Sequence, residues 1–209
     1  MKLKLACLTV SCFLMAAIAV SKQSYKGIVN TKLGQKLEGD IKINLSGEND
    51  ELIEIMNTEK TKSKGVMQIK TSSTKYNVAI ISNVVVDKQT YYFRDIRIGY
   101  DDKFLHNVCV KLIYGTIDCG IFQVGDGKEQ NNIAIKFPKT SFSELASIDF
   151  DYYNSSQSVL IRIIDCKILL ERMMAKDETV SWTENATKEQ RFQRFKNIVD
   201  EYNKCGLSN

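Results

Sequence analysis

Three stretches decide the fold: Ile41-Lys42-Ile43-Asn44-Leu45, Asn132-Ile133-Ala134-Ile135-Lys136-Phe137 and Ile148-Asp149-Phe150-Asp151-Tyr152. In each, large apolar residues recur at every second position, with small or polar residues between them. A strand turns successive side chains to opposite faces, so this period gives one face to a core and the other to water. Further runs rich in Val, Ile, Tyr, Phe and Thr are Leu52–Met56, Val66–Thr71, Tyr76–Val86, Thr90–Gly99, Val108–Tyr114 and Thr116–Val124. Gly, Asn and Asp clusters separate them, as turns require. Gly47-Glu48-Asn49-Asp50 and Gly125-Asp126-Gly127-Lys128 read as hairpin loops, and Thr58–Lys64 as a solvated loop.

Working outward, Ser158–Met174 carries apolar residues on every face of a helical wheel. Val159, Ile161 and Ile163 suit one strand face, and Ile164, Cys166, Ile168 and Leu170 the other after a bulge, which predicts a long strand. A helix is expected over residues 187–205. Thr187-Lys188-Glu189-Gln190 has the form of a capping box, Phe192, Phe195, Ile198, Val199, Tyr202 and Cys205 follow at helical spacing, and Gly206 stands at the C-cap. The fold class is therefore mainly β: an antiparallel β-sandwich or barrel with one C-terminal amphipathic α-helix.

The N-terminus sets the expected compartment. Lys2 and Lys4 precede an apolar run from Leu5 to Ile18, and Ala17-Ile18-Ala19 supplies small residues two apart. That is the pattern of a cleaved secretory signal over residues 1–19, leaving residues 20–209 as a single secreted β-rich domain. Loss of Lys2 and Lys4 lowers the formal charge from +4 to +2, which removes the argument for nucleic acid as a partner. Hydrophobic content of 44% supports a core, and no second long apolar segment predicts stable membrane insertion.

Four cysteines lie beyond the signal: Cys109, Cys119, Cys166 and Cys205. An even number in an exported chain predicts two disulfides. Cys109 and Cys119 flank Tyr114-Gly115 and would face each other across a hairpin, leaving Cys166 with Cys205. The crossing pairs, Cys109 with Cys166 and Cys119 with Cys205, stay open. Asn44-Leu45-Ser46, Asn154-Ser155-Ser156 and Asn185-Ala186-Thr187 are sequons, so Asn44, Asn154 and Asn185 are expected glycosylation sites.

The catalytic inventory is thin. His106 is the single histidine, and Leu105-His106-Asn107 matches no nucleophile motif. No C-x-x-C spacing suggests zinc, and the Asp-x-Asp-x-Asp-Gly series of a calcium loop is missing around Gly125-Asp126-Gly127. Asp149 and Asp151 share a strand face and Asp101-Asp102 occupy a turn, but paired carboxylates of this kind read as solvated surface. Nucleotide-binding glycine loops are absent, so no cofactor is expected. The aromatic clusters Tyr91-Tyr92-Phe93 and Tyr152-Tyr153 each place one member inward and one outward. Outward members of Tyr91, Tyr92, Tyr152 and Tyr153 would anchor a partner.

From Gly125 onward the chain reads Gly-x-Gly, then Asn132–Phe137, Ser141, Ser143 and Ile148–Tyr152. This resembles the closing hairpin of small secreted insect proteins of the multiprotein-bridging-factor and salivary secreted peptide group. The resemblance covers residues 125–152 and implies a secreted β-domain of saliva, haemolymph or gut, without a catalytic site. The chain departs from that group in its greater length and its C-terminal helix. The expected function is a secreted, non-enzymatic protein that binds a macromolecule. The alternative is a lipocalin-like carrier of a small lipophilic ligand, although no Gly-x-Trp marks a first strand and Trp182 lies just before the helix.

Overall fold

The computed structural model describes residues 23–63, 66–98, 103–125, 132–138, 143–147, 159–181 and 185–205. Ten strands follow in order: β1 (Gln23–Thr31), β2 (Lys36–Ile43), β3 (Leu52–Ser63), β4 (Val66–Asn77), β5 (Ile81–Val86), β6 (Gln89–Ile98), β7 (Lys103–Gly115), β8 (Gly120–Val124), β9 (Asn132–Lys136) and β10 (Ser143–Ser147). Two helices close the chain, α1 (Lys167–Met174) and α2 (Lys188–Cys205). The ladder runs β10-β9-β8-β7-β6-β5-β1-β2-β3-β4, and among the described residues β4 is an outer edge. The fold is thus mainly β, with the expected helix at its C-terminal end.

The ladder has two halves, joined where β5 pairs with β6. From β6 to β10 every neighbour is antiparallel, and β10 returns to β6 through the parallel pairs Ser143↔Ile96 and Glu144↔Arg97. Five strands therefore form a ring. Ile96, Val108, Val110, Phe122 and Ala134 fill its inside, with Tyr92, Leu112 and Val124 at the margin. The alternate residues Ile121, Ile133 and Ile135 point outward, where the helices cover them. Burial on both faces is why β8 and β9 read as almost continuous apolar runs.

The other half, β5-β1-β2-β3-β4, stays open and curls over a core of Val29, Ile41, Ile43, Ile53, Ile55, Val84 and Val86. Phe93 and Cys109, on the outer face of the ring, pack against this core too. The curl depends on Gly27 and Gly39, which stand opposite one another on β1 and β2. A Cβ on Gly27 would lie 2.4 Å from the Val85 carbonyl oxygen, and one on Gly39 would lie 2.8 Å from that of Met56. Only glycine permits backbones to approach so closely.

The helix over Lys188–Cys205 begins as expected. Gln190 N–H donates to Thr187 Oγ1 at 3.2 Å, and Thr187 N–H donates back to Gln190 Oε1 at 2.9 Å. Phe195, Ile198, Val199 and Tyr202 are buried on the ring, Tyr114 hydroxyl donates to Asp200, and Tyr202 hydroxyl donates to Asp165 at 2.9 Å. Residue Gly206 lies outside the described residues.

Several expectations need correction. Residue Ser158 lies outside the described residues, and the rest of the segment forms no strand: a helical turn spans 159–162 and α1 follows after a turn. Val159, Ile163, Cys166, Leu169 and Met173 are buried at spacings of three and four, while Ile161, Ile164 and Ile168 stand exposed on the other side. Those exposed isoleucines filled the wheel and hid the helical period. Residues 58–63, read as loop, belong to β3. Central strand β1 was not expected, because Gly27 and three polar neighbours dilute its apolar pattern. The strand expected over Ile148–Tyr152 lies outside the described residues, and β10 occupies the positions just before it.

Candidate functional site

β3 and β4 pair along their whole length, from Leu52↔Asn77 to Ser63↔Val66. β2 supports β3 only at Glu54, Ile55 and Met56. Beyond that base the hairpin continues as a two-stranded arm, about 20 Å long at the usual strand rise. Ile53 and Ile55 in the base are 2% exposed, whereas Met67 and Ile69 in the arm are 62% and 63% exposed. Register puts Lys60 opposite Ile69 and Lys62 opposite Met67, so the four share one face. Glu59 lies opposite Lys70 and Thr58 opposite Thr71, cross-strand pairs that favour the ladder without a core beneath it. The result is a basic and apolar face carried clear of the sheet, beside the unpaired backbone edge of β4.

The cysteines divide unequally. Cys166 and Cys205 are bridged, with Cα atoms 5.7 Å apart, and fasten the start of α1 to the end of α2. Cys109 and Cys119 are free and buried, which corrects the expectation of a second bridge. The hairpin exists, but Gly115 pairs with Gly120, so Cys119 lies at its turn while Cys109 lies six residues up β7. That is about 20 Å at the strand rise, against an upper limit of about 7 Å between bridged Cα atoms. They also belong to different cores, Cys109 to the curled half and Cys119 to the helix-covered layer. Both crossing pairs are ruled out with it, since Cys166 and Cys205 hold each other. Burial pushes both free thiols up to about 12, so neither is a nucleophile at neutral pH.

Tyr91 and Tyr92 do face opposite ways, yet each is half-buried, Tyr91 against the curled core and Tyr92 inside the ring edge-on to Phe122. Neither is the free outward anchor expected of the pair. Tyr152 and Tyr153 lie outside the described residues, as do Asn154, Asp101, Asp102, Asp149 and Asp151. Asn185 is exposed in the turn before α2. Asn44 is half-buried, and its Oδ1 accepts from Ser46 N–H at 3.0 Å to shape the β2–β3 loop. His106 is a surface residue, its Nδ1 3.3 Å from Asp95 Oδ1.

Two arrangements had no motif to announce them. Asn49, in the β2–β3 loop, is buried and donates from Nδ2 to the carbonyls of Asn44 (2.9 Å) and Asn107 (3.1 Å). Its Oδ1 accepts from Asn44 N–H at 2.7 Å. This side chain pins the curled half to β7 at Asn107, whose φ of 51° marks a local irregularity of the strand. The second arrangement is a cavity of about 1000 Å³ between the halves, lined by Lys32, Arg94 and Lys136 among others. The Arg94 guanidinium lies over the rings of Tyr92 (5.5 Å) and Phe122 (5.4 Å), at the end of the ring interior. Register places Lys136 on the same inner face, two residues beyond Ala134. Isolated Lys and Arg residues on separate strands carry no local spacing signal, so only the closure of the ring brings them together.

No protein-family model matches this chain, and neither does any characterised protein or solved structure.

Proposed function

We propose that this chain is an exported, non-enzymatic protein that acts by binding a macromolecule, with the β3–β4 arm as its contact surface. The observation that carries the reading is the face of Lys60, Lys62, Met67 and Ile69, held clear of the sheet. Exposed apolar groups among cations suit a partner that is acidic and partly apolar, since contact desolvates Met67 and Ile69 while the lysines select charge. The adjoining free edge of β4 offers backbone donors and acceptors for strand addition. Export rests on residues 1–19 and accords with the Cys166–Cys205 bridge, and Asn185 is exposed for glycosylation. Among the described residues no helix is long and apolar enough to cross a membrane.

The carrier alternative draws no support. Phe122, Val108 and Val110 fill the ring, and the large cavity beside it mixes apolar residues with six charged side chains, which suits a lipophilic guest less well than a dry apolar pocket.

The test is a photoreactive group placed at Met67 or Ile69 in the secreted protein, in the fluid from which it is purified. The expected result is one discrete cross-linked product, lost in the Lys60→Glu, Lys62→Glu double variant while the melting temperature is unchanged. A product that survives charge reversal, or none at all, overturns the arm as the contact surface. Hydrolytic activity of the purified protein that disappears in Asp149→Asn or Asp151→Asn would overturn the non-enzymatic reading.

A further inference from the structure

The cavity between the two halves gathers three cations that form no ion pair among the described residues, and this observation is independent of the arm. Lys32, Arg94 and Lys136 all line it. None of the three forms an ion pair with a carboxylate among the described residues, although Asp50, Glu51 and Asp95 line the same cavity. Asp95 is engaged elsewhere, accepting from Asn107 N–H at 3.1 Å and facing His106. Asp118 is the one acid whose field reaches both Arg94 and Lys136.

Arg94 is built into its place. Its Nη1 donates to the Phe93 carbonyl at 2.9 Å, two aromatic rings flank the guanidinium, and its Nε is buried with no partner. Burial lowers the pKa of both Arg94 and Lys136, and for Lys136 the nearby charges of Arg94 and Lys32 lower it further. The site therefore carries mutual repulsion that a bound anion would relieve. The planar fork of arginine beside an ammonium group is suited to a tetrahedral or planar oxyanion.

We propose that Arg94, Lys136 and Lys32 form a binding site for a small phosphate- or sulfate-type oxyanion at the open end of the ring. Free anion or the terminal group of a larger ligand would present the same chemistry.

Isothermal titration of the full secreted protein with inorganic phosphate, inorganic sulfate and acetate provides the test. Phosphate and sulfate are expected to bind at one site, with acetate at least tenfold weaker. Arg94→Met and Lys136→Met should each weaken phosphate binding about tenfold or more, and Lys32→Ala by a smaller factor. Lys136 is half-buried at a strand end, so Lys136→Met keeps the test decisive if Arg94→Met fails to fold. Absence of phosphate and sulfate binding, or binding unchanged in Lys136→Met, overturns the site. Comparing phosphate with a phosphate monoester separates the two ligand sources: a tighter ester assigns the cavity to the end of a larger molecule, and equal affinity assigns it to the free ion.

Discussion

The ring of β6–β10 and the curled sheet of β1–β5 are built from the same period-two pattern and use it differently. In the ring both faces are consumed, the inner by Phe122 and its neighbours and the outer by α1 and α2. In the curled sheet only the concave face is consumed, and the β3–β4 ladder continues past the core into an arm where Met67 and Ile69, on the opposite face, meet water. Alternation therefore specifies a strand without specifying what covers it. Cover comes from elements distant in sequence, and where none arrives among the described residues an apolar face stays exposed.

The largest way to break this contrast is Phe122→Ala. It opens a cavity inside the ring and removes one of the two rings under Arg94, so a loss of about 3–5 kcal/mol is expected in chemical denaturation. Next is Cys166→Ser with Cys205→Ser. The bridge closes a loop of 39 residues, and chain-entropy reasoning puts its contribution at about 4 kcal/mol. Hydrogen exchange should accelerate in α1 and α2 and leave β1–β5 unchanged; uniform acceleration would show that the halves unfold together.

Asn49→Ala probes the pin between the halves. It leaves the Asn44 N–H and the carbonyls of Asn44 and Asn107 without their shared partner, for a cost of about 1–3 kcal/mol. A value near zero would mean the β5–β6 ladder and packing hold the halves together without this side chain. Smaller still is an acid effect at Asp177. Hydrogen bonds from the Thr179 hydroxyl and amide, then from Arg172, hold its carboxyl at about 2, below its ordinary value. Its contribution is thus fully present above about pH 4 and is lost as pH falls through about 2. The difference in melting temperature between wild type and Asp177→Asn should shrink over that window, measured against pH.

The smallest effect is expected in the arm. Met67→Ser and Ile69→Ser should change stability by less than about 0.5 kcal/mol, since neither side chain leaves water on folding. A cost above about 1 kcal/mol would show that the arm packs on something.

The sequence made the fold class and the C-terminal helix legible because both rest on local signals. The Thr187–Gln190 box and the Phe195, Ile198, Val199, Tyr202 stripe are readable within one segment. The break between β5 and β6 was legible as the gap between Val86 and Thr90, but its tight-turn geometry was not, since Asp87 and Lys88 both adopt positive φ where Asn-Gly would have announced it. Long-range outcomes were also hidden. Nothing near Cys109 tells that it faces one core and Cys119 another, and nothing near Lys136 tells that Arg94 lies across the ring from it. The arm was misread because Lys60, Lys62 and Thr61 look like solvated loop. Its order comes from pairing with β4 rather than from burial.

The two unbridged thiols impose an order of events on oxidative folding. Loop closure alone favours a bond between Cys109 and Cys119, ten positions apart, over the native one across 39 by roughly sevenfold, because closure probability falls with about the three-halves power of length. That short bond would tie the turn of the β7–β8 hairpin to a position about 20 Å up its strand and forbid the ladder. In an oxidising compartment the productive chain is the one whose β7 register is set first, which withdraws both sulfurs from reaction before Cys166 and Cys205 meet. Catalysed disulfide exchange, by reopening that short bond, is accordingly expected to speed recovery of the native protein.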